Sequence, residues 1–181
     1  CGCMTGYENV EQSLMDLIME EQAKLGYMKE EIRLYYPLAS LCHFWDRKFT
    51  AKEMLAKLEG FSDYTGDRLG AVEISCRDDR FCFHIPAQGV EYVHRHGGSN
   101  PFIKELVELV RQHGCTIGQI KELFVRRSEK IHMEPMDNGE FDWLIYFEDA
   151  AVDRYYYCFK QEGEHMIYHR FLPKDYEDFK F

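Results

Sequence analysis

The chain has 181 residues, 30% of them charged, with a formal charge of −10 at pH 7 and an isoelectric point near 5.3. A chain of this size buries enough surface to fold without disulfide or metal staples, and its charge opposes a whole-protein role on nucleic acid or anionic membrane. It holds no apolar run of about 18 residues, so no membrane span is expected.

In chain order, Asn9 is expected to cap a helix running to about Lys24, with Leu14, Leu17 and Ile18 as its apolar stripe and acidic residues opposite. Gly26 breaks it. A second helical segment is expected from Lys29 to Ala39, kinked or ended early by Pro37. Leu38, Leu41, Phe44 and Trp45 look like core. Thr50 with Glu53 has the capping-box spacing, which opens a helix to Leu58. Gly70 to Ile85 alternates apolar and polar residues on either side of Arg77-Asp-Asp-Arg80 and predicts a hairpin. Gln88 to His96 is a short helix or turn closed by Gly97-Gly98.

Asn100 then caps, and Pro101 starts, a helix to His113 with Phe102, Leu106, Leu109 and Val110 on one face and Gly114 just past its end. Thr116 opens another helix to about Arg127. From Lys130 the apolar period becomes two. A strand over Ile131–Met136, placed at a sheet edge by Pro135, leads into the turn signal Asp137-Asn-Gly139. Three aromatic strands follow: Phe141–Phe147, Arg154–Lys160 and His165–Phe171. The fold class is therefore α+β: N-terminal helices, a β-hairpin, two central helices and a C-terminal antiparallel β-meander packed by helices. One domain over residues 4–181 is expected, with residues 1–3 read as added or processed. The cysteines at 1, 3, 42, 76, 82, 115 and 158 form no CxxC. They read as reduced thiols, and with no signal peptide read, a cytoplasmic location is expected.

Candidate sites follow from this layout. His94-x-His96 would share a face on a strand and ligate one metal, but on a helix the two rings diverge. They are weak metal candidates for the alternative of a metal-dependent enzyme, and no cofactor is expected. Cys115 and Cys158 lack the local signatures of nucleophilic cysteines. Helix, Gly114 turn, helix and hairpin over residues 100–147 resemble a winged helix-turn-helix, in which Gln119, Lys121, Arg126 and Arg127 would approach DNA. The adjoining acid argues against it: residues 137–181 hold five Lys/Arg against eleven Asp/Glu. Nucleic acid is not the expected partner.

The meander supplies the leading candidate. Period two places Phe141, Trp143, Ile145 and Phe147 with Tyr155, Tyr157, Phe159, Ile167 and Phe171 as a core face. The other face is then Leu144, Tyr146, Tyr156, Cys158, Met166 and Tyr168. Such a Tyr-rich surface either lies under the N-terminal helices or binds protein, self or other, through Tyr146, Tyr156, Met166 and Tyr168. The expected function is a non-enzymatic binding or regulatory module.

Three stretches carry a family likeness. They are Gly26-Tyr-Met-Lys-Glu-Glu-Ile-Arg-Leu-Tyr-Tyr-Pro-Leu38, Arg80-Phe-Cys-Phe-His-Ile-Pro86 with Gly89-Val-Glu-Tyr-Val-His94, and Asp137-Asn-Gly-Glu-Phe141 with Tyr155-Tyr-Tyr-Cys-Phe159. From Met4 onward the chain resembles an uncharacterised bacterial domain-of-unknown-function family. The resemblance implies a compact bacterial protein and brings no activity, cofactor or catalytic residue.

Overall fold

The computed structural model describes residues 5–98 and 100–179; the start at Met4 and the first two cysteines lie outside them. The chain divides into two compact units, Cys1–Ser99 and Asn100–Phe181.

In the first unit, Thr5 caps helix α1 (Gly6–Leu25) by accepting from the Glu8 amide, and Gly26 ends it at φ 74°. The cap is thus Thr5 and not Asn9, whose amide instead donates to the Phe44 carbonyl at 2.9 Å. The expected helix from Lys29 to Ala39 is also corrected. Ile32–Pro37 form strand β1, and α2 (Leu38–Trp45) begins only after the proline. Ile32, Leu34 and Tyr36 alternate with Arg33, Tyr35 and Pro37, and an antiparallel partner satisfies one edge of the strand. Helix α3 (Ala51–Leu58) carries the full Thr50/Glu53 capping box, and a short α4 (Phe61–Thr65) follows.

Strands β2 (Glu73–Arg77) and β3 (Arg80–Ile85) form the expected hairpin. Its turn residues Asp78 and Asp79 sit at φ 50° and 60°, the pair of left-handed residues that a two-residue turn of matching twist requires. The sheet order is β1-β3-β2, and α5 (Ala87–His96) closes the unit. Phe81, Phe83 and Ile85 face inward with Ile32 and Tyr36, joining Val10, Leu14 and Ile18 of α1 in one core. Within it the Ser13 and Tyr36 hydroxyls are 2.8 Å apart. The Arg68 guanidinium clasps both oxygens of the largely buried Glu11 carboxylate at 2.6 and 3.1 Å.

In the second unit, Asn100 caps α6 (Pro101–Val110) and Thr116 caps α7 (Ile117–Arg127). Helix α6 ends three residues before the expected His113. The Arg111–Thr116 connection is pinned where the Gly114 amide donates to the Glu164 carbonyl at 2.9 Å. The sheet is a meander in the order β4-β5-β6-β7, with β4 (Ile131–Pro135) at the edge as Pro135 indicates. The others are β5 (Trp143–Phe147), β6 (Tyr156–Glu162) and β7 (His165–Phe171), followed by α8 (Pro173–Asp178). Phe124 of α7 packs between Phe102 at 4.9 Å, Phe147 at 5.0 Å and Tyr157 at 5.4 Å, which makes it the hub of the core here.

The register decides the faces, because directly opposed residues of an antiparallel pair share one. Trp143 lies opposite Phe159 and Phe159 opposite Tyr168, whereas Tyr146 lies opposite Tyr156 and Tyr156 opposite Phe171. The phase expected for β7 is therefore inverted. Met166 and Tyr168 belong to the face of Phe159 and Tyr157, while Ile167 and Phe171 belong with Tyr146 and Tyr156.

Candidate protein-binding face

The four proposed contact residues separate into two pairs on opposite faces of the second sheet. Met166 is buried, and the Tyr168 ring lies 6.2 Å from Phe159. Tyr146 and Tyr156 stay together on the other face, stacked at 3.9 Å with planes 11° apart.

That stack is the middle of an aromatic ladder running across the sheet. His132 of β4 stacks on Tyr146 at 4.8 Å, and Tyr156 meets Tyr176 of α8 edge-on at 5.4 Å. Phe171 extends it to Tyr176 at 6.4 Å and Phe179 at 5.3 Å. Leu144 and Cys158 are buried on this same face, while Ile167 and Phe179 are 45% and 44% exposed. Tyr146, Tyr156 and Tyr176 are half-buried. Offset aromatic pairs are worth about 0.5–1.5 kcal/mol beyond their buried area, so the rings of the ladder restrain one another. His132, Phe171 and Tyr176 were absent from the expected set. The signal that finds Phe171 is the two-residue turn Gly163-Glu164, which pairs Glu162 with His165 and fixes the parity of that hairpin; His132 is placed by the β4–β5 register and Tyr176 by α8.

The displaced ionisations around this sheet move away from neutrality. Burial raises the Tyr146 phenol, with further contributions from Tyr156 and the carboxylates of Glu134 and Glu148. Burial also raises Tyr157 well above its usual range, and Asp153, which accepts its hydroxyl at 2.7 Å, adds to the effect. Burial raises Cys115 and pushes Cys158 up to about 12 from 9.0, so both thiols stay protonated near neutral pH.

A stability consequence follows. A group whose folded pKa is raised contributes stability that is complete below its unfolded pKa and is lost as pH climbs toward the folded value. For Cys158 that window runs from 9.0 to about 12, and Tyr157 adds a loss beginning above 10.0. We expect the urea midpoint to hold near pH 8 and fall steadily to about pH 11. Cys158→Ala should lower the midpoint near pH 8 slightly and flatten its decline. Equal slopes in the two proteins would show that the thiol is not the titrating group.

The remaining candidates lie elsewhere. His94 and His96 sit exposed in the last turn of α5, two positions apart and hence on diverging sides of the helix. The His96 ring stacks on Tyr92 at 4.5 Å, and its Nδ1 is 3.2 Å from the Tyr92 carbonyl. The helix does not bring the two imidazoles together. Gln119, Lys121, Arg126 and Arg127 are exposed on α7. The Gln119 side chain is committed to the capping box, where its Oε1 accepts from the Thr116 amide at 3.0 Å. The six residues between α6 and α7 exceed the three- or four-residue turn of a helix-turn-helix.

These features define an α+β protein built from two helix-packed antiparallel sheets, one of which carries an aromatic ladder. Its family is the one described as "Domain of unknown function, E. rectale Gene description (DUF3877)", whose profile matches residues 7–180, and the chain belongs to it. The bacterial family likeness of the three stretches stands. No curated protein and no solved structure matches the chain. Among the described residues, no helix is long and apolar enough to cross a membrane.

Proposed function

We propose that the chain works as a non-enzymatic protein-binding module whose contact is the ladder face of its second sheet. The observation that carries this reading is the stacked His132–Tyr146–Tyr156 row, continued by Tyr176 and Phe171. Aromatic rings held in place by one another lose little freedom on binding, and Tyr concentrates at recognition surfaces for that reason. The raised thiol and phenol ionisations support a packing role over acid–base work at neutral pH. Met166 and Tyr168 support the face from behind and are not contact residues.

The first partner to test is a second copy of the chain, by light scattering over a concentration series. The wild type is expected to associate at high concentration. Tyr156→Glu, which places a charge beside Tyr146, is expected to remain monomeric with an unchanged far-UV spectrum. A wild type that stays monomeric over the whole series rules out the self-association form of the proposal.

A further inference from the structure

A second surface, in the first unit and independent of the ladder, has the makings of a docking strand. Among the described residues β1 is an edge strand, paired only with β3 in the order β1-β3-β2. Beside it lies a concavity of about 320 Å³ lined by Glu21, Lys29, Glu31, Ile32, Arg33 and Leu34. Unpaired edges template the addition of another strand, and proteins blunt them with prolines, charges or covers. Here Pro37 blunts only the last position of β1.

The outer face along this edge carries two arginines, Arg33 and Arg80, beside the His84–Glu73 pair. Arg33, Tyr35 and Pro37 lie opposite His84, Cys82 and Arg80 of β3. The nearby carboxylates of Glu31 and Glu73 lie 3.0 and 3.8 Å from the His84 ring and pair with neither arginine. Among the described residues neither Arg33 nor Arg80 forms an ion pair. Arg80 instead reaches from β3 to Tyr35, with its guanidinium 4.5 Å from the ring centre, and Tyr35 is 50% exposed. A charged gatekeeper on the edge would account for Arg33 alone. It does not account for a second arginine laid against the neighbouring tyrosine.

We propose that β1 receives an extended acidic segment of a partner protein as a fourth strand of this sheet. The incoming backbone pairs with the open edge about 4.8 Å away, and every second side chain stands on the outer face. Carboxylates at those positions meet Arg33 and Arg80, in charge-assisted hydrogen bonds of bidentate form. The net charge of −10 disfavours a long polyanion here, whereas a short acidic segment carries only a few charges past that field.

The test uses the full chain and a fluorescein-labelled decapeptide of alternating Glu and Tyr, followed by fluorescence anisotropy at about 50 mM salt. Binding is expected to weaken as salt rises and to fall at least about tenfold in Arg33→Glu/Arg80→Glu. Two isomers of the peptide, each N-methylated on alternate amides, report on the backbone without altering the protein. At least one of them is expected to lose binding, because strand pairing uses the amides of one edge. The proposal fails if the peptide does not bind at this salt, if the charge-reversed protein binds it equally, or if both methylated isomers bind like the parent. It fails too if a thymidine decanucleotide binds more tightly than the peptide, which would mark the face as a nucleic-acid site.

Discussion

Gly89→Ala is expected to destabilise the protein by about 2 kcal/mol, although alanine is the better helix former by about 1 kcal/mol. Gly89 lies in the first turn of α5, where the helix passes against the loop between α4 and β2. A Cβ there would fall on the Leu69 carbonyl oxygen and within 2.7 Å of the Ile85 side chain. Neither can yield cheaply. Leu69 and Ile85 are fully buried, and Val90 and Val93 hold α5 in the same core. The obstruction is backbone, so relief requires moving a helix and not rotating a side chain. Gly89→Val should cost more, about 4 kcal/mol, because branching adds bulk in the same place. Urea unfolding checks both: at slopes of about 1–3 kcal/mol/M the alanine midpoint falls by about 1 M. Gly118→Ala is the control with the opposite sign. That helical glycine meets only Thr116 Oγ1, at 3.7 Å, and its replacement is expected to stabilise by about 0.5 kcal/mol. A neutral Gly89→Ala would mean that α5 does not lie so close to residue 69.

What the sequence disclosed divides along the range of the interactions involved. The caps at Thr50, Asn100 and Thr116 were legible because each is a side chain bonding a backbone amide three residues away. The β2–β3 hairpin and the β5–β7 meander were legible from alternation and turn residues alone. Ile32–Pro37 was not, because its partner Arg80–Ile85 is remote in the chain and the apolar spacing of Ile32, Leu34 and Tyr36 was overridden by a helical expectation around them. Pro37, which in a helical pattern marks a kink or an early end, here ends an edge strand, the other position that tolerates a missing donor. At the candidate site, Tyr146 and Tyr156 were legible, but the face of Met166 and Tyr168 was assigned by hydrophobicity. A strand rich in Met, Ile, Tyr and Phe offers no contrast between its sides, so only the hairpin parity set by Gly163-Glu164 decides. With β1 unread, the open sheet edge of the first unit was not legible either.

Phe124→Ala is expected to cost about 3–5 kcal/mol, the range for removing a fully buried phenyl ring. The figure rests on position more than on residue type. Phe124 is wholly buried and contacts Phe102 of α6, Phe147 of β5, and Tyr157 and Phe159 of β6, so its ring joins both long helices of the second unit to two strands. Four aromatic neighbours of that size cannot collapse into the space without leaving their rotamers, which puts the cost toward the upper end. Val125, one residue along and 37% exposed, provides the comparison: Val125→Ala should fall within about 0.5 kcal/mol of the parent. Near-UV circular dichroism gives a second readout. Phe124→Ala should lose aromatic fine structure at urea concentrations where the parent retains it. The same variant bears on the ladder, because Tyr157 and Phe159 flank Cys158 on β6 and point opposite to it. Slackening the core side of β6 should therefore loosen the Tyr146–Tyr156 stack on the other side and raise the accessibility of the Cys158 thiol to a thiol reagent. A core variant that loses several kcal/mol while Cys158 stays protected would show that the two faces of the sheet are held independently.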